Sequence, residues 1–324
     1  MKKINKTLVA ITFYERKKYL HKILNYYNQF EDELDIIILD QSKETWHSPY
    51  HSKIKSWHHF PAEKFNFYQM WDKVCSLYNN YEFIYWNNDD DFVTPAGIRM
   101  AEEFLIDNPD YSLAQGQIVQ ISADGNGITE YGNSEWFKED CNQQDTEVRL
   151  NKIFTNAYVN PHATIRLKTW HSAIKLVLES IDTSSSLAPI RFWDKIITLM
   201  AGIEGHRKTN LPCVTAIRTH RNFTGAMLHT EGTYPEVLER STPYEHILKR
   251  LGEKNPFSPL IKKKTHLIKD KQINEFVIQL LNPKNIGFSK YPYEKKSHLP
   301  INQECGRMQL NHVIKAILSN KNEL

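Results

Sequence analysis

Three short apolar runs, separated by amphipathic segments, constrain the fold of this chain most. The runs are TLVAIT (Thr7 to Thr12), LDIIILD (Leu34 to Asp40) and EFIYW (Glu82 to Trp86). They are rich in strand-forming residues and too short for ordinary helices. Apolar residues at helical spacing lie between them, over residues 19–30 and 66–80. This order predicts an α/β sheet with helices on both faces.

The alternation continues over the middle of the chain and then stops. We expect further elements in this order: a helix over 94–109, a strand over 112–122, helices over 148–155 and 191–206, and a strand over 212–222. Beyond about residue 235 only helical patterning remains. The sequence therefore predicts one α/β domain over residues 1–235 and a helical C-terminal extension over 236–324.

Charge and cysteine content exclude several classes of protein. The net charge is only +3, and no basic stretch alternates with aromatic residues, so we expect no nucleic-acid partner. The four cysteines are far apart and form no CxxC pair, which fits a reducing cytosol. The N-terminal apolar run, Leu8 to Ile11, is too short for a signal peptide, and no run of ~18 apolar residues follows. We therefore expect a cytoplasmic protein.

The basic segment from Ile261 to Lys271 has two interpretations. A run of this kind is typical of a solvated face. It also fits contact with an anionic membrane surface or with a phosphorylated acceptor. Peripheral contact with the inner face of the cell membrane, and a homo-oligomer contact through the C-terminal helices, are therefore further expectations.

Three consecutive aspartates, Asp89 to Asp91, directly follow the third strand and its two asparagines. Adjacent carboxylates beside a buried strand end are electrostatically costly unless a cation neutralises them. Carboxylates suit Mg²⁺ or Mn²⁺, which often bridge them to substrate phosphates. The alternative is an Asp-rich turn that caps the next helix. Asp40 also ends a strand, and ligands of such sheets bind beyond the carboxyl ends of the strands, which favours the metal.

In their order and spacing, three segments resemble the nucleotide-binding half of GT-A glycosyltransferases, particularly family 2-like bacterial enzymes: TLVAITFYERKKYLHKIL, DIIILDQSKE and EFIYWNNDDDFVTPAGI. The resemblance covers about residues 6–100 well and extends more loosely to about 225. It implies a Rossmann-like nucleotide-binding mixed sheet flanked by helices. The nucleotide-sugar half would occupy about 1–115 and the acceptor half about 116–235.

The resemblance also implies roles for residues near the strand ends. Carried over by position, Asp40 would bind the base or ribose of the nucleotide, and Thr12 and Arg16 would line the same pocket. Asp89 and Asp90 would face the nucleotide sugar. The donor would be a UDP-, GDP- or dTDP-sugar.

Two registers are open for the metal ligands. Asp89 and Asp91 form a literal D-x-D. Alignment on Pro95 instead leaves Asp90 and Asp91 as the pair that faces the metal, with Asn88 where the family has its first aspartate. The three aspartates are therefore all candidate ligands of Mn²⁺ or Mg²⁺.

The second half of the chain would supply the acceptor side. The segment RFWDKIITLMAG resembles the family element whose carboxylate acts as general base, which makes Asp194 the candidate base. An aspartate near a helix start is also a common cap, and a lone histidine is more often structural. Weaker candidates are the acceptor-side residues His162 and Thr164, the further metal ligand His220, and the phosphate-facing Arg218 and Arg221.

The sequence thus predicts a metal-dependent glycosyltransferase. It would move a sugar from the nucleotide to a hydroxyl of a glycan or lipid-linked acceptor, with inversion, in bacterial surface polysaccharide synthesis. One alternative is a sugar-nucleotide nucleotidyltransferase, although TFYERKK lacks the glycine-rich loop of those enzymes. The other is a non-catalytic glycan-binding domain of the same fold.

Overall fold

The computed structural model of the protein describes residues 6–30, 34–46, 54–121, 128–130, 140–156, 162–180 and 193–218. The strands are β1 (Thr7–Phe13), β2 (Asp35–Asp40), β3 (Ser56–His59), β4 (Phe83–Asn88), β5 (Asp91–Val93), β6 (Tyr111–Ile121), β7 (Ile128–Glu130), β8 (Thr164–Arg166) and β9 (His206–Arg218). The helices are α1 (Lys17–Tyr27), α2 (Phe67–Leu77), α3 (Pro95–Asp107), α4 (Thr146–Asn156), α5 (Leu167–Ser180) and α6 (Trp193–Glu204). The C-terminal extension predicted over 236–324 lies outside the described residues.

The strands of the described residues form one mixed sheet. Their order is β3-β2-β1-β4-β8-β6-β9-β5, and β7 pairs with β6. Strands β1 to β4 are mutually parallel, β8 runs antiparallel to β4 and β6, and β6 runs parallel to β9. The predicted α/β class, a mixed sheet flanked by helices, is confirmed. Strand β6 crosses the boundary predicted near residue 115, so the two halves share one sheet.

Both faces of the sheet are covered, which is why its strands read as continuous apolar runs rather than alternating ones. On one face α2, α5 and α6 pack together, and the rings of Trp71 and Trp170 meet at a centroid distance of 4.7 Å. On the other face α1 buries Leu20, Ile23 and Leu24 against the strands. No helix of the described residues is both long and apolar enough to cross a membrane.

The carboxyl ends of three parallel strands meet at one edge of the sheet. Phe13, the last residue of β1, pairs with Asp40, the last residue of β2. Thr12 pairs with Asn88, the last residue of β4. Side chains that follow β1, β2 and β4 therefore come together although they are far apart in sequence. This is the edge at which open α/β sheets bind ligands.

The start of α3 follows the prediction from Thr94 and Pro95. The Thr94 side chain accepts a hydrogen bond from the Gly97 N–H at 3.2 Å, and Pro95 occupies the first helical position. The Thr94 hydroxyl also donates to the Val214 carbonyl of β9. The cap thus fixes both the beginning of α3 and its contact with the sheet.

The predicted boundary between the last helix and the last strand is wrong. The helix expected to reach His206 ends at Glu204, and β9 begins at His206 rather than near residue 212. The chain leaves the helix at Gly205, where a Cβ would lie 2.5 Å from the Asp110 carbonyl oxygen, and the His206 N–H donates to that carbonyl at 2.8 Å. Strand β5 was not predicted, since three residues are too few to show a strand pattern.

Candidate functional site

The turn after β1 is fixed by contacts with the turn after β2. Glu15 has a φ of 58°, an uncommon conformation for a residue with a side chain. Its N–H donates to Ser42 Oγ at 3.0 Å, and its Oε1 accepts from the Lys43 N–H at 3.0 Å. These bonds hold the strained turn, leave Tyr14 half-exposed and place Arg16 at the N-cap of α1.

Asp40 is completely buried at the end of β2, and both carboxylate oxygens accept hydrogen bonds. Oδ1 accepts from the Ser42 N–H at 2.9 Å, and Oδ2 accepts from Trp57 Nε1 at 3.1 Å. The rings of Trp57, Trp46 and Phe13 pack against one another at centroid distances of 5.9 to 6.3 Å. Asp40 thus stabilises the β2 turn and fixes an aromatic cluster beside the strand ends.

Thr12 connects β1 with β4 through its hydroxyl. Thr12 Oγ1 donates to the Asn87 carbonyl at 3.3 Å and accepts from Trp86 Nε1 at 3.1 Å. Of the three residues predicted to line the nucleotide pocket, Thr12 and Asp40 therefore make internal contacts at the edge where β1, β2 and β4 end.

The third of those residues, Arg16, contacts the aspartate cluster directly. Its guanidinium binds Asp89 in a bidentate manner, with Nε 3.2 Å from Oδ2 and a second nitrogen bonded to Oδ1. A further nitrogen lies 2.5 Å from Asp90 Oδ2. Asp89 and Asp90 are only 1% and 4% exposed, whereas the Arg16 side chain is 33% exposed. One guanidinium thus compensates two adjacent buried carboxylates, each separated from it by more than 70 residues of chain.

The charge compensation of this cluster is incomplete. Burial raises the pKa of Asp89 to about 7, and the neighbouring charge of Asp90 acts in the same direction. Arg16 and a hydrogen bond from the Tyr14 backbone lower that pKa but do not outweigh the burial. Burial lowers the pKa of Arg16, but the charges of Asp89 and Asp90 raise it more, so its pKa is raised overall. Asp89 therefore binds a proton more readily than an ordinary aspartate.

Asp91 belongs to a different environment from its two neighbours. It is the first residue of β5, is completely buried, and its carboxylate Oδ2 lies 3.6 Å from His162 Nε2. Its backbone carbonyl accepts from Asn87 Nδ2 at 2.6 Å. Burial, followed by smaller effects that include the charge of Asp91, raises the pKa of Tyr27 and Tyr85. Asp91 therefore faces the interior of the sheet.

Comparison with known proteins gives a distant likeness to solved structures. No family model and no curated protein matches the sequence. A crystal structure of S. aureus TarS matches at 14% identity and a TM-score of 0.40, with 76% of this chain and 43% of the TarS chain covered. A crystal structure of S. aureus TarS 1-349 in complex with UDP matches at 12% identity and a TM-score of 0.49, covering 88% of this chain and 93% of that chain. The chain thus spans less than half of the length of the first of these structures.

The candidate site residues of the second half of the chain occupy several places in the fold. Asp194 is the second residue of α6, at the helix start that the sequence predicts, and Arg218 pairs with Asp91 across β5 and β9. His162 and Thr164 are buried, at 1% and 0% exposure, which favours a role in packing. His220 and Arg221 lie outside the described residues.

The donor set at the strand ends fits a hard divalent cation. Asp89 and Asp90 both direct carboxylate oxygens at the Arg16 guanidinium. Oxygen ligands of this kind suit Mg²⁺ and Mn²⁺. The described part of the chain has no group of three or more His, Cys, Asp or Glu side chains arranged to hold a metal. A two-carboxylate site of this kind resembles those in which Mg²⁺ completes its coordination with waters and substrate phosphates.

Two features of this site were not predicted from the sequence. Arg16 was expected to face a nucleotide, and its pairing with the aspartates became evident only in the structure. The role of Asn87, two residues before the aspartate cluster, is also evident only in the structure, where its side chain holds the backbone of Asp91. A polar residue in the last positions of a buried strand is the signal that identifies such a residue.

Proposed function

We propose that this chain is a glycosyltransferase that moves a sugar from a nucleotide-sugar donor to a hydroxyl of a glycan or lipid-linked acceptor, in bacterial surface polysaccharide synthesis. One observation carries the proposal. Asp89 and Asp90 converge on a single cationic group, the Arg16 guanidinium, at the edge where β1, β2 and β4 end. A site of that composition recognises a cation together with the phosphates it binds. The resemblance of the strand-end segments to family 2-like GT-A enzymes supplies the reaction class.

Asp89 and Asp90 would hold the metal, Mn²⁺ or Mg²⁺, in the proposed enzyme. A bound divalent ion supplies positive charge for the nucleoside diphosphate as it departs. Asp91 faces His162 and the sheet interior, so it supports the metal site without being a ligand. The proposed pair, Asp89 and Asp90, differs from both registers that the sequence left open, since each of them included Asp91.

Asp194 would be the general base of the proposed reaction. It would accept the proton of the acceptor hydroxyl while the oxygen attacks the anomeric carbon, in a single displacement with inversion. Its position at the start of α6 agrees with the family element in which the base lies. A bond to the acceptor oxygen forms as the bond to the diphosphate oxygen breaks, so no covalent enzyme intermediate is required.

Thermal unfolding with UDP, GDP and dTDP, in Mn²⁺ or in EDTA, tests donor binding. We expect one nucleotide to raise the melting temperature in Mn²⁺ and not in EDTA, because binding to the native state stabilises it. Asp90→Asn should remove the shift. Asp107→Asn, an exposed carboxylate at the end of α3, is the matched control and should keep it. If none of the three nucleotides raises the melting temperature of the wild type, the proposed function is contradicted.

Hydrolysis of the corresponding nucleotide sugar tests the assigned base. Asp194→Asn should preserve nucleotide binding and reduce this hydrolysis, in which water is the acceptor, by on the order of 10²-fold or more, as expected for loss of general-base catalysis. Equal turnover of the variant and the wild type would exclude Asp194 from that role.

The ion pair between Arg16 and the aspartates favours a second candidate, a non-catalytic domain that binds nucleotide sugars or glycans without a metal. In that case Arg16 supplies permanent compensation for Asp89 and Asp90. The same experiments separate the candidates. Nucleotide stabilisation that is equal in Mn²⁺ and EDTA, with no turnover of any nucleotide sugar, would favour the second one.

A further inference from the structure

Arg16 covers the carboxylates that the proposed function assigns to the metal. Asp89 and Asp90 are almost fully buried, and the guanidinium that binds them is one-third exposed. The guanidinium therefore forms the layer between the carboxylate oxygens and solvent. Any ion that reaches these oxygens from solvent must move the guanidinium first.

We propose that Arg16 is a displaceable counter-ion: an incoming divalent cation takes the Asp89 and Asp90 oxygens from its guanidinium, which then binds the diphosphate of the donor. The inference rests on the proposed function and deepens it, because it assigns Arg16 two successive partners. It turns a residue expected only to line the nucleotide pocket into the link between metal binding and nucleotide binding.

Competition for the same oxygens is the first argument. Arg16 donates to both oxygens of Asp89 and to Oδ2 of Asp90. A divalent cation at these carboxylates needs the lone pairs that the guanidinium occupies, at metal–oxygen distances of roughly 2.1 Å for Mg²⁺. A divalent ion and a guanidinium that close to the same oxygens repel each other, so we treat metal entry and release of Arg16 as one exchange.

The balance of charge is the second argument. Two carboxylates and one guanidinium leave a net negative charge, which a divalent ion reverses. A nucleoside diphosphate then adds negative charge beside the metal, and a guanidinium is well suited to bind phosphate oxygens through two parallel N–H bonds. The positive charge of Arg16 is thus surplus when the metal arrives alone and is required once the diphosphate is present.

The surroundings of Arg16 allow the exchange. The backbone carbonyl of Arg16 accepts from the Tyr19 and Leu20 N–H groups at 3.0 and 3.2 Å, and its side chain makes no capping bond, so the side chain can rotate while the backbone is held. Its guanidinium carbon lies 5.7 Å from the centre of the Tyr19 ring, and Tyr19 is 41% exposed. A cation over an aromatic face is stabilised by about 0.5–1 kcal/mol at an exposed site. Tyr19 already contacts the guanidinium while it is bound to Asp89 and Asp90, and its exposed ring reaches solvent beside that position.

The exchange predicts coupling between the two ligands. Without nucleotide, Arg16 opposes the metal, and with nucleotide it favours the bound state. Since coupling between two ligands is reciprocal, the metal should tighten nucleotide binding by the same factor by which the nucleotide tightens metal binding. Removal of Arg16 should therefore change the two affinities in opposite directions.

Isothermal titration of Mn²⁺ into the full chain, alone and with UDP, GDP or dTDP, tests the proposal. The variants are Arg16→Gln, which removes the charge and the paired N–H donors of the guanidinium, and Arg16→Lys, which keeps the charge but not the paired donors. Lys17→Gln is the matched control, because it removes one positive charge from an exposed neighbour. Electron paramagnetic resonance of free Mn²⁺ gives the same dissociation constants independently of heat.

We expect Arg16→Gln to bind Mn²⁺ alone on the order of tenfold more tightly than the wild type. The charged hydrogen bonds from Arg16 to Asp89 and Asp90 no longer compete with the metal for the carboxylate oxygens. The variant should bind the nucleotide in saturating Mn²⁺ on the order of tenfold more weakly, because a charge-assisted phosphate contact is lost. Arg16→Lys should lie between the two proteins, and Lys17→Gln should match the wild type.

Two results would overturn the inference. Mn²⁺ binding to Arg16→Gln that is unchanged or weaker, while the wild type binds both ligands, would show that Arg16 does not compete with the metal. Unchanged nucleotide affinity in Mn²⁺ would exclude the diphosphate contact. If Arg16→Gln does not fold without metal, Arg16→Lys decides by the same criteria. A wild type that binds neither Mn²⁺ nor any of the nucleotides instead contradicts the proposed function itself.

Discussion

His162 Nε2 lies 3.6 Å from Asp91 Oδ2, and both side chains are buried beneath the edge at which β4 ends. This contact separates Asp91 from Asp89 and Asp90, which bind Arg16 nearer the surface. Asp89 and Asp90 lie in the turn between β4 and β5, whereas Asp91 is the first residue of β5, so three adjacent aspartates meet two environments. In this cluster Asp89 and Asp90 therefore bind a cationic group, the Arg16 guanidinium, whereas Asp91 belongs to the core.

Metal affinity should distinguish the aspartates. We expect Asp90→Asn to weaken Mn²⁺ binding by on the order of tenfold or more, because a neutral amide is a poor ligand for a hard cation. Asp91→Asn should leave the dissociation constant within about twofold, because its side chain faces His162. Mn²⁺ titration of both variants measures the difference. An equal loss in the two variants would place Asp91 among the metal ligands.

The stability of the metal-free protein should fall as pH rises from about 4 to about 7. Burial raises the pKa of Asp89 from 3.8 to about 7. Between those values the folded protein retains a proton that the unfolded chain has released, so each increase in pH favours unfolding. Urea denaturation at pH 5, 6, 7 and 8 measures this slope. Asp89→Asn should flatten it, and parallel profiles of variant and wild type would assign the dependence to another group.

Trp57→Phe should destabilise the β2 turn. The substitution keeps an aromatic ring but removes the Nε1–H that donates to Asp40 Oδ2, which leaves a buried carboxylate with one hydrogen bond fewer. A lost bond to a buried charged group costs about 1–3 kcal/mol in the free energy of unfolding. Trp46→Phe is the control, because Trp46 packs in the same aromatic cluster. Equal losses in the two variants would mean that ring size, rather than the bond to Asp40, is what matters.

Gly97→Ala should destabilise the contact between α3 and β9. A Cβ at this position would lie 2.3 Å from the Val214 carbonyl oxygen and 2.8 Å from Thr215 Cα, and backbone atoms cannot move aside cheaply. We expect a loss of about 1–3 kcal/mol or more in the free energy of unfolding, as for other overpacked sites. Gly202→Ala is the control, since its new Cβ would meet mainly the flexible end of Ile153. Chemical denaturation compares the variants, and equal stability of the two would contradict the predicted backbone clash.

The sequence predicted the parallel core of the sheet well because each element carries its own pattern. The runs at Thr7 to Thr12 and Leu34 to Asp40 form β1 and β2, and the Thr94–Pro95 signal marks the start of α3. The prediction failed where a long-range contact sets the boundary. At the end of α6, Gly205 passes close to the Asp110 carbonyl and the His206 N–H binds it, and no local pattern reveals that neighbour.

The sequence by itself determined that carboxylates follow β4 and that β1, β2 and β4 end at a common edge, because strand periodicity and parallel order are local and topological properties. Only the tertiary structure decided which carboxylate meets which cation. Arg16 reaches Asp89 and Asp90 through the strained turn at Glu15, and His162 reaches Asp91 from beside β8. These contacts join residues more than 70 positions apart, and their geometry depends on strand pairing and burial, which a linear pattern of residues does not encode.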